Sequence, residues 1–144
     1  MQLIVREARI EDAEGVSSLL GELEYPSTEE AARRHIQRFI DDPASRLVLA
    51  QSADGVIGLI ATHIVPRLDS DERTCRITDI VVLTSHRRQG VATRLLEAAC
   101  AHAVAAGAPR LDLSSGQWRV DAHGFYLAHG FEGQSRGFTK RLEC

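Results

Sequence analysis

The sequence predicts an α/β fold: a mixed, mostly antiparallel sheet with one parallel βαβ unit and helices on both faces. Three observations lead there. The β-prone run from Thr74 to Leu83 is followed by a polar turn, an amphipathic stretch from Gly90 to Ala106 and a short apolar run from Leu111 to Ser114. That is the order strand, helix, parallel strand. An Asp54-Gly55 pair joins two β-prone runs, a strong hairpin signal. Two helix-period segments precede that hairpin, so the order is βααββ followed by βαβαβ.

Leu3 to Ala8 partly alternates apolar and polar positions, as a strand does. From Asp12 to Glu24 the apolar residues Val16, Leu19, Leu20 and Leu23 recur at helical spacing, and Tyr25-Pro26-Ser27 breaks the pattern. Ser27 or Thr28 can cap a second helix with Glu29 and Glu30 in its first turn; it runs through Ile36, Phe39 and Ile40 until Asp41-Asp42-Pro43. Leu47 to Gln51 and Val56 to Val65 are the hairpin strands. Leu68 to Glu72 is a polar turn before the strand at Thr74. The long helix presents Val91, Leu95, Leu96, Ala99 and Ala103 on one face, and Gly107 and Pro109 end it. Asp121 to His129 makes a short helix, and Phe131 to Leu142 a terminal strand or hairpin.

The 144 residues fit one domain, 1–144, with no internal repeat or linker. A net charge of −3, with arginines in pairs rather than runs, gives no electrostatic case for nucleic acid or an anionic membrane. No apolar stretch is long enough to span a bilayer. Cys75, Cys100 and Cys144 are widely spaced and odd in number, which favours a reducing, cytoplasmic compartment.

Chemistry concentrates after the strand at 74–83. Arg87-Arg88-Gln89-Gly90-Val91-Ala92 opens the long helix directly. Helix-start N–H groups lack intrahelical partners, a glycine lets the main chain approach a ligand, and arginines add charge-assisted donors. Together these suit a diphosphate. A βα loop with surface arginines is the plainer alternative. About thirty residues on comes Ala122-x-x-Phe125-Tyr126-x-x-x-Gly130-Phe131. Asp79, a carboxylate inside the apolar run Ile77-Thr78-Asp79-Ile80-Val81-Val82, either has a structural partner or serves a reaction.

With both segments in this order and spacing, the chain resembles the GNAT superfamily of acyl-CoA-dependent N-acyltransferases along essentially its whole length. The resemblance implies that Arg87, Arg88, Gln89, Gly90, Val91, Ala92 and Thr93 hold the pyrophosphate of acetyl-CoA. It implies that the pantetheine arm pairs with the main chain of Ile80, Val81 and Val82 as an added strand would. It also implies direct attack by a neutral amine in a ternary complex, with Tyr126 as general acid beside the sulfur, a main-chain N–H near Val81 or Val82 polarising the carbonyl, and Asp79 as base. Thr84 stands where relatives commonly have proline, Ala92 where they more usually have glycine, and Arg119 where they often have a cofactor-contacting asparagine.

The implied acceptor is a small-molecule amine, with a protein N-terminus or lysine as the alternative and a non-catalytic acyl-CoA sensor as a third. Homodimers are usual among such relatives. The segment Asp121-Ala122-His123 and the ending Gly137-Phe138-Thr139-Lys140 look like the aminoalkylphosphonate N-acetyltransferase branch, whose histidine-rich region is reduced here to His63. Glu22, Glu24 and Tyr25 could line an amine pocket or form a solvated helix end; Arg67, Arg73 and Arg136 could bind an anionic acceptor. The six histidines show no metal-ligand spacing; His123 and His129 are taken as structural or surface residues. Cys75 has no legible His-Asp partners and is taken as an inert thiol.

Overall fold

A computed structural model of the chain describes residues 2–113, 125–133 and 140–142. Five strands, β1 (Ile4–Glu7), β2 (Ser45–Ser52), β3 (Gly55–Pro66), β4 (Arg73–Val82) and β5 (Leu111–Leu113), lie in chain order across one sheet. β1 to β4 pair antiparallel, and β4 pairs with β5 parallel. The expected mixed sheet is therefore present, its parallel pair joined through α3 (Val91–Ala105).

Side chains alternate along a strand, and β3 shows both faces in use. Leu59 joins Val16 and Leu19 of α1 (Ala13–Glu22), Ile36 of α2 (Glu29–Asp41), Leu49 and Val81 in one core cluster. Gly58 faces the other way: a Cβ there would lie 3.1 Å from Val91 Cγ1 and 3.2 Å from Leu95 Cδ1, so α3 rests almost on the strand backbone. Leu19, Ile36 and Leu95 are fully buried, each contributing roughly 2–3 kcal/mol.

Helix ends follow local chemistry. Thr28, not Ser27, caps α2: its Oγ1 accepts from Ala31 N at 3.0 Å, while the Ser27 carbonyl accepts from Ser17 Oγ. A 3-10 turn, Ile10–Asp12, precedes α1, so the helix begins just after the expected Asp12. That aspartate accepts from Arg6 through two parallel bonds, Nη1 to Oδ2 at 2.9 Å and Nη2 to Oδ1 at 2.8 Å, and from the main-chain N–H of Arg9. The Arg6 guanidinium bonds hold the Asp12 carboxyl below the usual carboxylate range.

The pair is only 19% and 11% exposed, and breaking a largely buried, bidentate pair leaves a charge uncompensated. Asp12→Ala is expected to cost about 2 kcal/mol at pH 7 by chemical denaturation. A depressed carboxyl stabilises the fold above its unfolded value, about 3.9, and loses that contribution as pH falls through its lower folded value. The gap between wild type and variant should therefore persist at pH 5 and close toward pH 2; an unchanged gap would remove the pair as its cause.

The chain divides into two units, Met1–Leu113 and Ser114–Cys144. In the second, residues 125–128 form a helical turn, and residues 131–133 and 140–142 carry no strand. The middle half of the expected terminal strand (134–139), the first part of the expected helix from Asp121, and Arg119, Arg136 and His123 lie outside the described residues. Among the described residues no helix is long and apolar enough to cross a membrane.

Candidate active site

The β4–β5 ladder runs Cys75↔Leu111, Arg76↔Asp112, Ile77↔Leu113 and ends there among the described residues. The next residue, Thr78, is an extra one. Register with β3 passes from Thr62↔Ile77 to Ala61↔Asp79, a bulge in β4. Beyond it Ile80, Val81 and Val82 pair with Ile60, Leu59 and Gly58 of β3, leaving their opposite main-chain edge without a ladder partner among the described residues. The Val82 carbonyl is already used there, accepting from Arg87 Nε at 3.2 Å.

Asp79, in register with Ala61, shares the face of Leu59 and Val81. It is half-buried, and its carboxylate has no polar partner among the described residues.

Three tethers hold the loop after β4. Glu22, at the end of α1, accepts from Thr84 N at 3.2 Å and from Thr84 Oγ1 at 2.8 Å, and its carboxylate lies 3.7 Å from Arg87 Nη2. A proline at position 84 would lack the first donor, so the departure from the family pattern ties the loop to α1. His86 Nε2 lies 2.9 Å from Asp54 in the β2–β3 turn, and Arg87 reaches back to Val82.

The chain then reaches α3 through two left-handed residues, Arg88 at φ 63° and Gly90 at φ 81°. Gly90 occupies the N-cap position, where no side chain caps the helix, and a Cβ there would meet nothing within 4 Å. The first helical bond is Arg94 N to Gly90 O at 3.1 Å, so the N–H groups of Val91 and Ala92 precede any intrahelical partner. Val91 itself is buried. Arg88 and Gln89 are exposed, and Ala92 and Thr93 partly so.

Glu22 is therefore engaged in holding the loop. Glu24 and Tyr25, the other two expected pocket residues, are exposed just past α1. Glu24 adopts φ 65° and closes α1 with Tyr25 N to Leu20 O and Glu24 N to Gly21 O bonds, a helix stop ordinarily given to glycine.

Tyr126 lies in the second unit. Gly130, at φ 88°, and Phe131 end its helical turn: Phe131 N donates to Tyr126 O at 3.0 Å and Gly130 N to Leu127 O at 3.2 Å. The Phe131 ring meets Tyr126 edge-on at 5.7 Å, and Phe125 does so at 5.6 Å. The Tyr-x-x-x-Gly-Phe spacing is thus a helix stop that clamps the tyrosine ring. Burial pushes the Tyr126 phenol above the ordinary tyrosine value. In the first unit, burial likewise raises the Cys75 thiol.

Residues 13–131 match the Acetyltransferase (GNAT) family. The chain belongs to that family. It is 33% identical, over 96% of its own length and 90% of the relative's, to the aminoalkylphosphonate N-acetyltransferase of Salmonella typhimurium, and it is an N-acetyltransferase. Solved structures with this fold include a transcriptional regulator from Bacillus halodurans (TM-score 0.88, 21% identity, 98% of this chain and 100% of that one). A GNAT family acetyltransferase from Staphylococcus aureus superposes with TM-score 0.83 at 22% identity, over 99% and 100% of the two chains. An aminoglycoside N-acetyltransferase in complex with CoA does so at 0.86 and 19%, over 99% and 96%. At these identities the structures attest the fold.

Proposed function

We propose that the chain transfers the acetyl group of acetyl-CoA to a primary amine of a small molecule, by direct attack within a ternary complex. The observation that carries this reading is the start of α3. It is an uncapped helix N-terminus, reached through a left-handed Gly90 with open space where a side chain would stand, and Arg88 beside it is exposed. Those features fit a diphosphate. Val91, Ala92 and Thr93 would hold it by main chain, with Arg88 and Gln89 adding side-chain donors and Arg87 keeping the loop in place.

Acetyl-CoA, when bound, supplies an electrophilic thioester carbonyl. The open edge of β4 at Ile80 and Val81 would align the amide-bearing arm, and a main-chain N–H at Val81 or Val82 would polarise the carbonyl. Asp79, a carboxylate with no polar partner among the described residues, would pair with the incoming ammonium and accept a proton directly or through water. Tyr126 would donate its proton to the departing sulfur. Glu24 and Tyr25 would form an accessible rim toward a cationic acceptor.

The named relative makes aminoalkylphosphonates the first amines to try. CoA release measured across a panel of small primary amines, these included, should show turnover with at least one. Acetyl-CoA binding without turnover on any would favour a sensor. Glu24→Gly separates rim from scaffold. Relieving a left-handed glutamate should stabilise the fold by roughly 0.5–1 kcal/mol. Losing the charge should raise the KM of a cationic amine several-fold, as surface charge pairs are worth about 0.2–1 kcal/mol. An unchanged KM would exclude Glu24 from the rim.

A further inference from the structure

Four polar side chains, three of them from neighbouring strands, form a hydrogen-bonded line that ends at the β4 bulge. Asp42 follows α2, Ser45 begins β2, His63 lies on β3 and Thr78 is the bulged residue of β4. Ser45 Oγ lies 2.9 Å from Asp42 Oδ2 and 2.8 Å from His63 Nδ1; His63 Nε2 lies 3.2 Å from Thr78 Oγ1. Phe39 packs against the imidazole with ring centres 5.2 Å apart.

The outer end of this line fixes where its protons sit. An ionised carboxylate can only accept, and the Ala44 N–H and the Ser45 hydroxyl hold Asp42 below the usual carboxylate range. Ser45 has a single O–H, and it goes to Asp42. The Ser45 oxygen must then accept from His63, which places hydrogen on Nδ1. A neutral imidazole carries one N–H, so Nε2 is bare and its lone pair faces Thr78. The Thr78 hydroxyl donates to it in preference to the Ala61 carbonyl, which is farther at 3.5 Å.

Place matters as much as direction. Thr78 adjoins Asp79, and His63 stands two residues along β3 from Ala61, the register partner of Asp79. The other charged group in register is Arg76, opposite His63 and exposed. At the far end Asp42 and Ser45 line an open groove of about 620 Å3 between β1, α2 and β2, where a proton can pass to water.

We propose that His63 is a relay residue for the acetyl transfer, taking the proton of the reacting ammonium through the Thr78 hydroxyl in place of Asp79; this rests on the reading of Asp79 as the place where that ammonium docks. In the step, an N–H bond of the ammonium breaks and its proton joins Thr78 Oγ as the hydroxyl's own proton moves to His63 Nε2. The nitrogen keeps the electron pair with which it attacks. The imidazolium is held by Ser45 and, through it, by the Asp42 carboxylate. No other bond changes and nothing is oxidised or reduced.

His63→Gln can keep polar contact with both neighbours yet take up no proton. It should lower kcat/KM for the amine about 100-fold, change the shape of its pH profile, and leave acetyl-CoA affinity within about twofold. Long-range nitrogen–proton NMR of the wild type, free of ligand, should show His63 protonated at Nδ1 and bare at Nε2, and Ser45→Ala should erase that preference. An unchanged rate and pH profile in His63→Gln, or a proton on Nε2 in the wild type, would overturn the relay. A wild type that binds acetyl-CoA but acetylates no amine would overturn the transfer reading itself, and the relay with it.

Discussion

Tyr126→Phe should lower kcat by roughly 10²–10³-fold, within what a positioned general acid supplies, while acetyl-CoA binds within about twofold of wild type. The substitution removes one oxygen. It keeps the ring that packs edge-on against Phe125 and Phe131 and the main-chain bond from Phe131 that ends the turn. No hydrogen bond from the phenol is found among the described residues, so little stability should be lost with it. Burial raises the phenol above its ordinary value, so it stays protonated at neutral pH and can serve as an acid. Stopped-flow measurement of CoA release at saturating amine is the check; a kcat within about threefold of wild type would take Tyr126 out of the chemistry.

Gly90→Glu should weaken acetyl-CoA binding at least about 100-fold, or roughly 2.7 kcal/mol. Two effects combine. At φ 81° any side chain is strained, costing about 1–2 kcal/mol, and a carboxylate would stand at the helix start where an anion is proposed to bind. Sterics within the protein contribute nothing, since a Cβ there has open space. Gly90→Ala carries the strain without the charge and so apportions the two. If both variants bind alike, conformation rather than charge repulsion governs the loss; if Gly90→Glu binds as the wild type does, the diphosphate lies elsewhere.

Much of the frame could be read from local sequence. Asp54-Gly55 made its hairpin, Thr28 its cap, and Gly90 its helix start because each acts within a few residues of itself. The same holds for Tyr126 with Gly130 and Phe131, where motif and helix stop coincide. What escaped sequence reading depends on partners distant along the chain. Glu22 suggested a substrate carboxylate, but its hydroxyl and N–H donors belong to Thr84, 62 residues away. The β4 bulge is a property of register between two strands, so nothing in Ile77-Thr78-Asp79-Ile80 alone says that an extra residue interrupts the ladder beside Asp79. His63 looked like a remnant of a lost histidine-rich stretch. Its partners Ser45 and Thr78 arrive from neighbouring strands 18 and 15 residues away, and only the alignment of β2, β3 and β4 shows them together.

A crystal structure of the protein with acetyl-CoA tests the central proposal most directly. The diphosphate oxygens should lie within hydrogen-bond distance of the Val91 and Ala92 N–H groups, with the acyl arm alongside Ile80 and Val81. A diphosphate bound away from the start of α3, with those N–H groups facing only water, would contradict it.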